Sequence, residues 1–515
     1  MGKDAVTRAG VVDIGSSSIK LLIAQQAGDN IEVLESLKNP APIGNYTFFK
    51  SRISQSMINQ TLVILQKYAR ILKEYEISRF KTIATTAIRE AKNRDIFIDT
   101  ILRKTGLNVE VFAVGDVIYY IDSYLYHRLK NTYPIHSKNL LIAELGAGSL
   151  DISILEKGFT IFHIGLPIGT LRLRQVITQL AGSMDENADA LMQYIANEFM
   201  FLKRSMPTIH IDDFILIDEN YSTYIPRVLS AVKPESHFYP FTKSNADELL
   251  NELIDKNPEE IAHQYRLPLE ISDTFSAYAA ILKSFFSLNS HENIYILETS
   301  LAEAVLAHII FQFDLSKKYD KYHQLISLAK NIGKKYQIDM DHAEHVAGLS
   351  VTLFKQLNNV FGLEKSDLLY LELAALLHDI GMFIHNRAHH KHTEYIINSL
   401  NLFRLSDEEI KVIACIARYH RKAPPLKTHP MYTSLPHEKR ILVQKLSSLL
   451  RIANALDRSH TQKIKKLDVK INKNQDVTLI ATTTGNYIIE HNDFLSKKTL
   501  FEEITGNKIN ITFRT

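Results

Sequence analysis

Cysteine is nearly absent from this sequence. Cys415 is the only one in 515 residues, so there is no intrachain disulfide framework, and the chain is expected in a reducing compartment, the cytoplasm. Set in the apolar stretch 412–417, Cys415 reads as a small core residue. A large net charge is lacking too. The formal charge of +3 gives no field to recruit a nucleic acid or a membrane surface. The short basic run of Lys463, Lys465 and Lys466 reads as a solvated loop. No apolar run approaches the ~20 residues that span a bilayer, and the N-terminal stretch reaches Asp13 without an apolar signal region. Neither secretion nor a membrane partner is expected. Low-complexity segments and short-period repeats are also missing. What is present is a composition of 45% hydrophobic and 23% charged residues, ordinary for a globular protein with a substantial core. The length suggests three or four domains.

One coarse internal echo organises the first part. Val11-Val12-Asp13-Ile14-Gly15-Ser16-Ser17-Ser18 and Leu141-Ile142-Ala143-Glu144-Leu145-Gly146-Ala147-Gly148-Ser149 share a design. Each is an apolar strand that reaches an acid and a tight Gly/Ser turn, followed by a returning apolar strand. Residues 56–72 carry helical spacing (Ile58, Leu62, Leu65, Ala69, Leu72), and residues 82–84 read as a strand. The pattern predicts two α/β lobes, residues 1–130 and 131–312, each facing a cleft with one turn. From Leu325 the periodicity becomes helical, as in Val346, Leu349, Leu353 and Leu357. A helical domain is therefore expected over residues 318–460, with a small α/β element over 461–515.

A strand ending in a Gly/Ser turn aims several backbone N–H groups at one phosphate. Ser16, Ser17 and Ser18 add hydroxyls and Lys20 a cation, while Asp13 or Glu144 can hold a magnesium ion or orient water. One such turn is usually only a turn; two in register, each preceded by an acid, point to phosphate chemistry.

These residues resemble the exopolyphosphatase/guanosine pentaphosphatase (Ppx/GppA) family. Asp13-Ile14-Gly15-Ser16-Ser17-Ser18-Ile19-Lys20-Leu21 is similar to its first phosphate motif, with serine where asparagine is usual and lysine where arginine is common. Ala84-Thr85-Thr86-Ala87-Ile88-Arg89-Glu90-Ala91-Lys92-Asn93 resembles the second, which implies that Arg89 meets phosphate. Glu144 to Asp151, including Gly146, Gly148 and Ser149, resembles the family's acidic glycine-rich loop. The resemblance implies a two-lobed actin-like ATPase (ASKHA, ribonuclease H-like) fold, Mg2+ in the cleft, and a homodimer. It also implies hydrolysis of terminal phosphoanhydrides in polyphosphate or guanosine pentaphosphate, with guanosine tetraphosphate a further ligand.

The departures from the family pattern are specific. The family's catalytic glutamate lies in a Ser-Gly-x-Glu-Glu-Ala segment, which here reads Ala113-Val114-Gly115-Asp116-Val117-Ile118. Asp116 is the nearest acid, one methylene shorter, and proton transfer is sensitive to placement. Glu144 replaces an aspartate and Asp151 a glutamate. A later glycine-rich turn appears as Asp218-Glu219-Asn220-Tyr221-Ser222-Thr223, and an arginine appears as Ala302. Slow turnover, or a cleft that binds without hydrolysing, is the expectation these changes raise.

In the helical half, His342, His378-Asp379 and Asp457 resemble the His…His-Asp…Asp order of HD-type phosphohydrolases. Each is in line with apolar positions of its own segment, so all four are predicted to point inward, where unpaired charge is costly. Two imidazoles and two carboxylates suit Mn2+, Fe2+, Mg2+ or Zn2+ with positions left for water and phosphate. The clusters His389-His390-Lys391-His392 and Tyr419-His420-Arg421-Lys422 are consistent with a second metal, a phosphate grip or a solvated basic surface. Three functions thus stand: a cleft phosphoanhydride hydrolase, an HD-type metal-dependent nucleotide phosphohydrolase regulated by the lobes, and an inactive alarmone or polyphosphate sensor.

Overall fold

A computed structural model describes residues 7–179, 184–230, 232, 238–288, 292–312 and 320–514. The chain divides into two compact units, Met1–Tyr319 and Asp320–Thr515. The expected start of the helical domain at 318 lies outside the described residues.

The first unit holds two sheets built alike. In the first, β1 (Arg8–Ile14), β2 (Ser18–Ala27), β3 (Asn30–Pro40), β4 (Phe80–Ala84) and β5 (Val109–Val111) lie in the order β3-β2-β1-β4-β5. β1 pairs antiparallel with β2 and parallel with β4. In the second, β6 (Asn139–Leu145), β7 (Leu150–Glu156), β8 (Phe159–Leu166), β9 (Asp213–Asp218), β10 (Tyr239–Thr242) and β11 (Asn293–Glu298) lie in the order β10-β11-β9-β6-β7-β8. β6 likewise pairs antiparallel with β7 and parallel with β9. β1 and β6 hold the same place, an inner strand between a hairpin partner and a parallel neighbour. Their nearly unbroken apolar runs follow from burial on both faces. Each sheet has its own core, around Val12, Leu21 and Phe97 in one and Leu141, Ile152 and Phe275 in the other.

Two helices join the lobes. The helix Val114–Leu129 packs on β6, β7 and β8. Leu301–Phe311, capped by Ser300 (Oγ accepts from Glu303 N at 3.2 Å), packs on β1, β2 and the helix Val114–Leu129. This last helix falls within the bounds expected for the second lobe, 131–312, yet packs on β1 and β2 of the first sheet.

The second unit packs helices Lys321–Lys335, Met340–Phe361, Asp367–Leu377, His389–Ser399, Asp407–Arg418 and His437–Ala455 together. A sheet of β12 (Ile464–Ile471), β13 (Val477–Thr483) and β14 (Ile509–Arg514) follows in the order β12-β13-β14. The helix His437–Ala455 packs on the helices Ile488–Lys497 and Thr499–Thr505, and Met340–Phe361 packs on β12. The helical part and the C-terminal α/β element therefore share one compact unit rather than forming two.

Candidate active site in the interlobe cleft

The β1–β2 and β6–β7 turns close in the same way. Gly15 N donates to the Ser18 carbonyl at 3.0 Å, and Gly146 N to the Ser149 carbonyl at 2.9 Å. Both turns line one cavity of about 350 Å³ between the lobes. They approach so closely that a Cβ on Gly148 would stand 2.8 Å from Ser16 Oγ, 2.9 Å from Thr86 Cβ and 2.7 Å from Phe48 Cζ. Only glycine fits there. Thr86 Oγ1 and Ser149 Oγ, one from each lobe, are 2.9 Å apart. Arg172, which the sequence reading missed, donates from Nε to the Gly148 carbonyl at 2.9 Å and forks onto both Glu90 oxygens at 2.7 and 2.8 Å. Its alternation with Arg174 at a helix start just after Gly169 was the available signal.

Of the residues singled out in sequence, Asp13, Gly15, Ser16, Ser17, Ser18, Lys20, Glu144, Gly146, Gly148, Ser149 and Asp151 line this cavity. The acids are crowded into it. Burial raises Asp13 to about 6, against the pull of Lys20. Glu144 and Asp151 face each other in the β6–β7 register. Desolvation raises both carboxyls, and the Asp151 charge raises Glu144 further. Arg89 draws Asp151 back down. Asp13 Oδ1 and Asp151 Oδ1 are buried without a hydrogen-bond partner. Such orphaned carboxylate oxygens fit a hard divalent cation that takes one or two carboxylates and keeps several waters. Among the described residues, the cleft acids form no group of three at mutual ligand distance.

Two expected residues are placed differently. Arg89 does not line the cavity; its guanidinium donates to the Phe112 carbonyl at 2.8 Å and to Thr86 Oγ1 at 3.2 Å. Asp116, the candidate base, accepts from Ala113 N at 3.0 Å and so caps the helix Val114–Leu129. A first-turn carboxylate is drawn back to the free N–H groups of its own helix. One residue further round the helix, Val117 faces the cavity instead. The acidic turn after β9 has its own logic. Asp218 Oδ1 accepts from Asn220 N at 2.8 Å and Tyr221 N at 3.0 Å, and Oδ2 from Tyr278 Oη at 3.0 Å. A side chain thus builds the turn that glycine would otherwise allow. It presents Glu219, which binds Lys20, and Asn220, which accepts from Lys38 Nζ at 2.7 Å.

In the second unit, His342, His378 and Asp457 are buried. His378 Nδ1 donates to the Ala375 carbonyl at 2.7 Å, which leaves a lone pair on Nε2. That Nε2 lies 3.3 Å from His342 Nε2 and 3.5 Å from Asp379 Oδ2. Asp457, expected as a ligand, lies at the other edge of the His342 ring, with Oδ2 2.8 Å from Nδ1. It also accepts from Gln462 N at 2.7 Å. This is the position of a carboxylate that orients a histidine. His460, not anticipated, stacks on His342 with ring centroids 3.6 Å apart.

Comparison with known proteins places the chain. A family profile described as the Ppx/GppA phosphatase family matches residues 22–312, and one described as Ppx/GppA phosphatase, domain III, matches residues 326–503. The latter covers the helical segment that sequence motifs had likened to an HD-type domain. The guanosine-5'-triphosphate,3'-diphosphate pyrophosphatase of Aliivibrio fischeri (strain ES114) is 22% identical over 500 residues, covering 94% of this chain and 90% of the relative. That of Photobacterium profundum is 20% identical over 470 residues, covering 86% and 84%. Among solved structures, an Aquifex aeolicus Ppx/GppA family member superposes with a TM-score of 0.51 at 20% identity, over 61% of this chain and 100% of that one. A Cytophaga hutchinsonii exopolyphosphatase gives 0.52 at 19% identity, over 59% and 98%. These likenesses establish the two-lobed actin-like fold of the first unit.

Proposed function

The chain belongs to the Ppx/GppA phosphatase family, and we propose that its interlobe cleft hydrolyses a terminal phosphoanhydride of guanosine pentaphosphate or polyphosphate. The observation that carries this reading is the pair of facing Gly/Ser turns, with Gly148 against Ser16 and buried acids beneath them. The names of the relatives, pyrophosphatase and exopolyphosphatase, support the substrate class. The Gly15–Ser18 and Gly146–Ser149 turns hold phosphate oxygens through N–H and hydroxyl groups, and Lys20 offsets their charge. A water in line with the terminal phosphorus attacks as the bridging P–O bond breaks. Glu144 takes its proton, because a carboxyl raised by burial is the better base near neutral pH. Asp13 and Asp151 would hold Mg2+, which when bound neutralises developing phosphate charge. Arg89 acts through Thr86 and Asp151 rather than by lining the cavity. Turnover is slow, because Val117 presents no acid to the cavity. Phosphate release from pppGpp, polyphosphate, ppGpp and simple nucleotides, with Mg2+ or Mn2+, tests the reading. Activity on one of the first two that disappears in Glu144→Gln is the expected result; release unchanged in that variant would move the chemistry out of the cleft.

A second reading has its own observation. In the helical unit the Nε2 atoms of His342 and His378 converge with Asp379 Oδ2, as ligands of a divalent metal would. In this reading the helical unit is a metal-dependent phosphohydrolase that the lobes regulate. Phosphate release that survives Glu144→Gln and is lost in His378→Gln would favour it.

A further inference from the structure

Asp13, Lys20 and Lys38 stand in one row across the first sheet. Asp13 on β1 is directly opposite Lys20 on β2, and Lys20 is directly opposite Lys38 on β3. Directly opposite residues of antiparallel strands share a face, with Cβ atoms ~4.5–5.5 Å apart. All three line the interlobe cavity. The row therefore starts at a buried acid beside the turns, crosses two ammonium groups, and ends on the outermost strand of its sheet. Like charges in directly opposite positions destabilise a sheet, so the Lys20–Lys38 pair is a cost to the fold. The second lobe answers the two lysines unequally. Glu219 pairs with Lys20, whereas Lys38 Nζ meets a neutral acceptor, Asn220 Oδ1, at 2.7 Å. Burial and Lys20 hold the Lys38 ammonium below its usual range, against the pull of Glu219 and Glu270. An anion lying across both ammonium groups would relieve their repulsion.

We propose that this row is a track for a linear chain of phosphates, with Lys38 a distal subsite that makes the cleft selective for chains longer than pyrophosphate. The inference rests on the cleft reading above and extends it. The terminal phosphate lies at the two Gly/Ser turns beside Asp13, the next lies over Lys20, and a later one reaches Lys38. Adjacent strands are ~4.8 Å apart, so Lys38 stands ~9.6 Å along the row from Asp13, beyond a pyrophosphate held at the turns. Because β3 is the edge of its sheet, a longer chain can run past Lys38 and out of the cleft. The turn after β9 fills the track meanwhile, Glu219 on Lys20 and Asn220 on Lys38. Both side chains leave as the phosphates arrive. Polyphosphate and the triphosphate arm of a nucleotide present the same chain to Lys20, but only polyphosphate continues beyond Lys38.

The test titrates full-length Glu144→Gln protein, in which turnover is blocked, with pyrophosphate, tripolyphosphate, a longer polyphosphate and pppGpp in Mg2+, read by calorimetry. Affinity should rise about tenfold from pyrophosphate to the longest chain, the gain of one charge-assisted contact. Adding Lys38→Met should remove most of that gain and leave pyrophosphate binding nearly unchanged, while Lys38→Arg keeps the gain. A loss at pppGpp as well as at polyphosphate assigns the subsite to any phosphate chain; a loss confined to polyphosphate assigns it to the longer polymer. Equal affinity at every chain length, or a Lys38→Met loss as large for pyrophosphate as for polyphosphate, overturns the track. Lys38 would then be only a charge that guards an edge strand. Binding that survives Lys20→Met unchanged lies outside the cleft and overturns the cleft reading itself, as does no binding of any chain. Circular dichroism melts without ligand check that the variants fold, and Lys38→Arg against Lys38→Met decides should the Lys20 variant not.

Discussion

Lys20 on the first lobe and Glu219 on the second form an ion pair across the cleft. The pair occupies the cation that the first phosphate turn would offer a substrate. Glu219 therefore competes with phosphate for Lys20, and any polyanion that enters must displace it. Glu219→Gln should tighten polyphosphate binding about tenfold, ~1.4 kcal/mol, because Lys20 is freed from a partly buried partner and the repulsion between Glu219 and phosphate disappears with it. Calorimetric titration with polyphosphate at low salt measures this, and unchanged affinity would show that Lys20 does not meet the ligand.

Val117 rather than Asp116 faces the cavity, and Asp116 caps its own helix. Val117→Glu places a carboxylate on the wall of the cavity that Glu144 and Asp151 also line. Phosphate release from polyphosphate should rise at least tenfold, a part of the ~10²–10⁴ that a positioned base contributes. Asp116→Asn should leave the rate nearly unchanged and lower helix stability slightly. A rate that falls with Asp116→Asn and ignores Val117→Glu would reverse the assignment.

Gly148→Ala should separate the two turns. Its Cβ has no room against Ser16, Thr86 and Phe48, and overpacking of this kind costs ~1–3 kcal/mol. Urea unfolding followed by a probe in the first unit should report that loss, and phosphate release should fall with it. Wild-type activity in this variant would mean that the turns do not act together.

Asp122 is buried on the helix Val114–Leu129 and accepts from Ser153 Oγ at 2.9 Å and Thr160 Oγ1 at 3.1 Å. Desolvation raises it to about 7, against the pull of those two hydroxyls. In the folded protein it therefore holds a proton that the unfolded chain releases near pH 4. Its contribution is full below that pH and is lost as pH rises through about 7, so stability falls across this window. The loss from this group is of order 2–4 kcal/mol. Asp122→Asn should flatten that dependence while keeping the hydrogen bonds. Chemical denaturation of both proteins from pH 4 to 8 measures it, and parallel curves would remove the buried proton.

Much of the fold was legible in the sequence. The runs around Val11–Ile14 and Leu141–Leu145 announce inner strands, because burial on both faces demands unbroken apolar residues. The Gly/Ser turns that follow, with Asp13 and Glu144 beside them, could be read as phosphate loops, because turn chemistry is local. Tertiary structure decided what local pattern does not carry. Asp116 and Val117 are neighbours in sequence, and only the phase and capping of one helix turned the acid away and the valine inward. Lys20 and Glu219 are 199 residues apart, and His342 and Asp457 are 115 apart. Which atom of each meets which depends on how whole sheets and helices pack. Asp457 was legible as a buried acid near His342, but not as the partner of Nδ1, because the rotation of a ring leaves no trace in residue spacing. The convergence of His389 and His420 on Asp379 depends likewise on the close approach at Gly381, where backbone meets backbone and no side-chain periodicity records the contact.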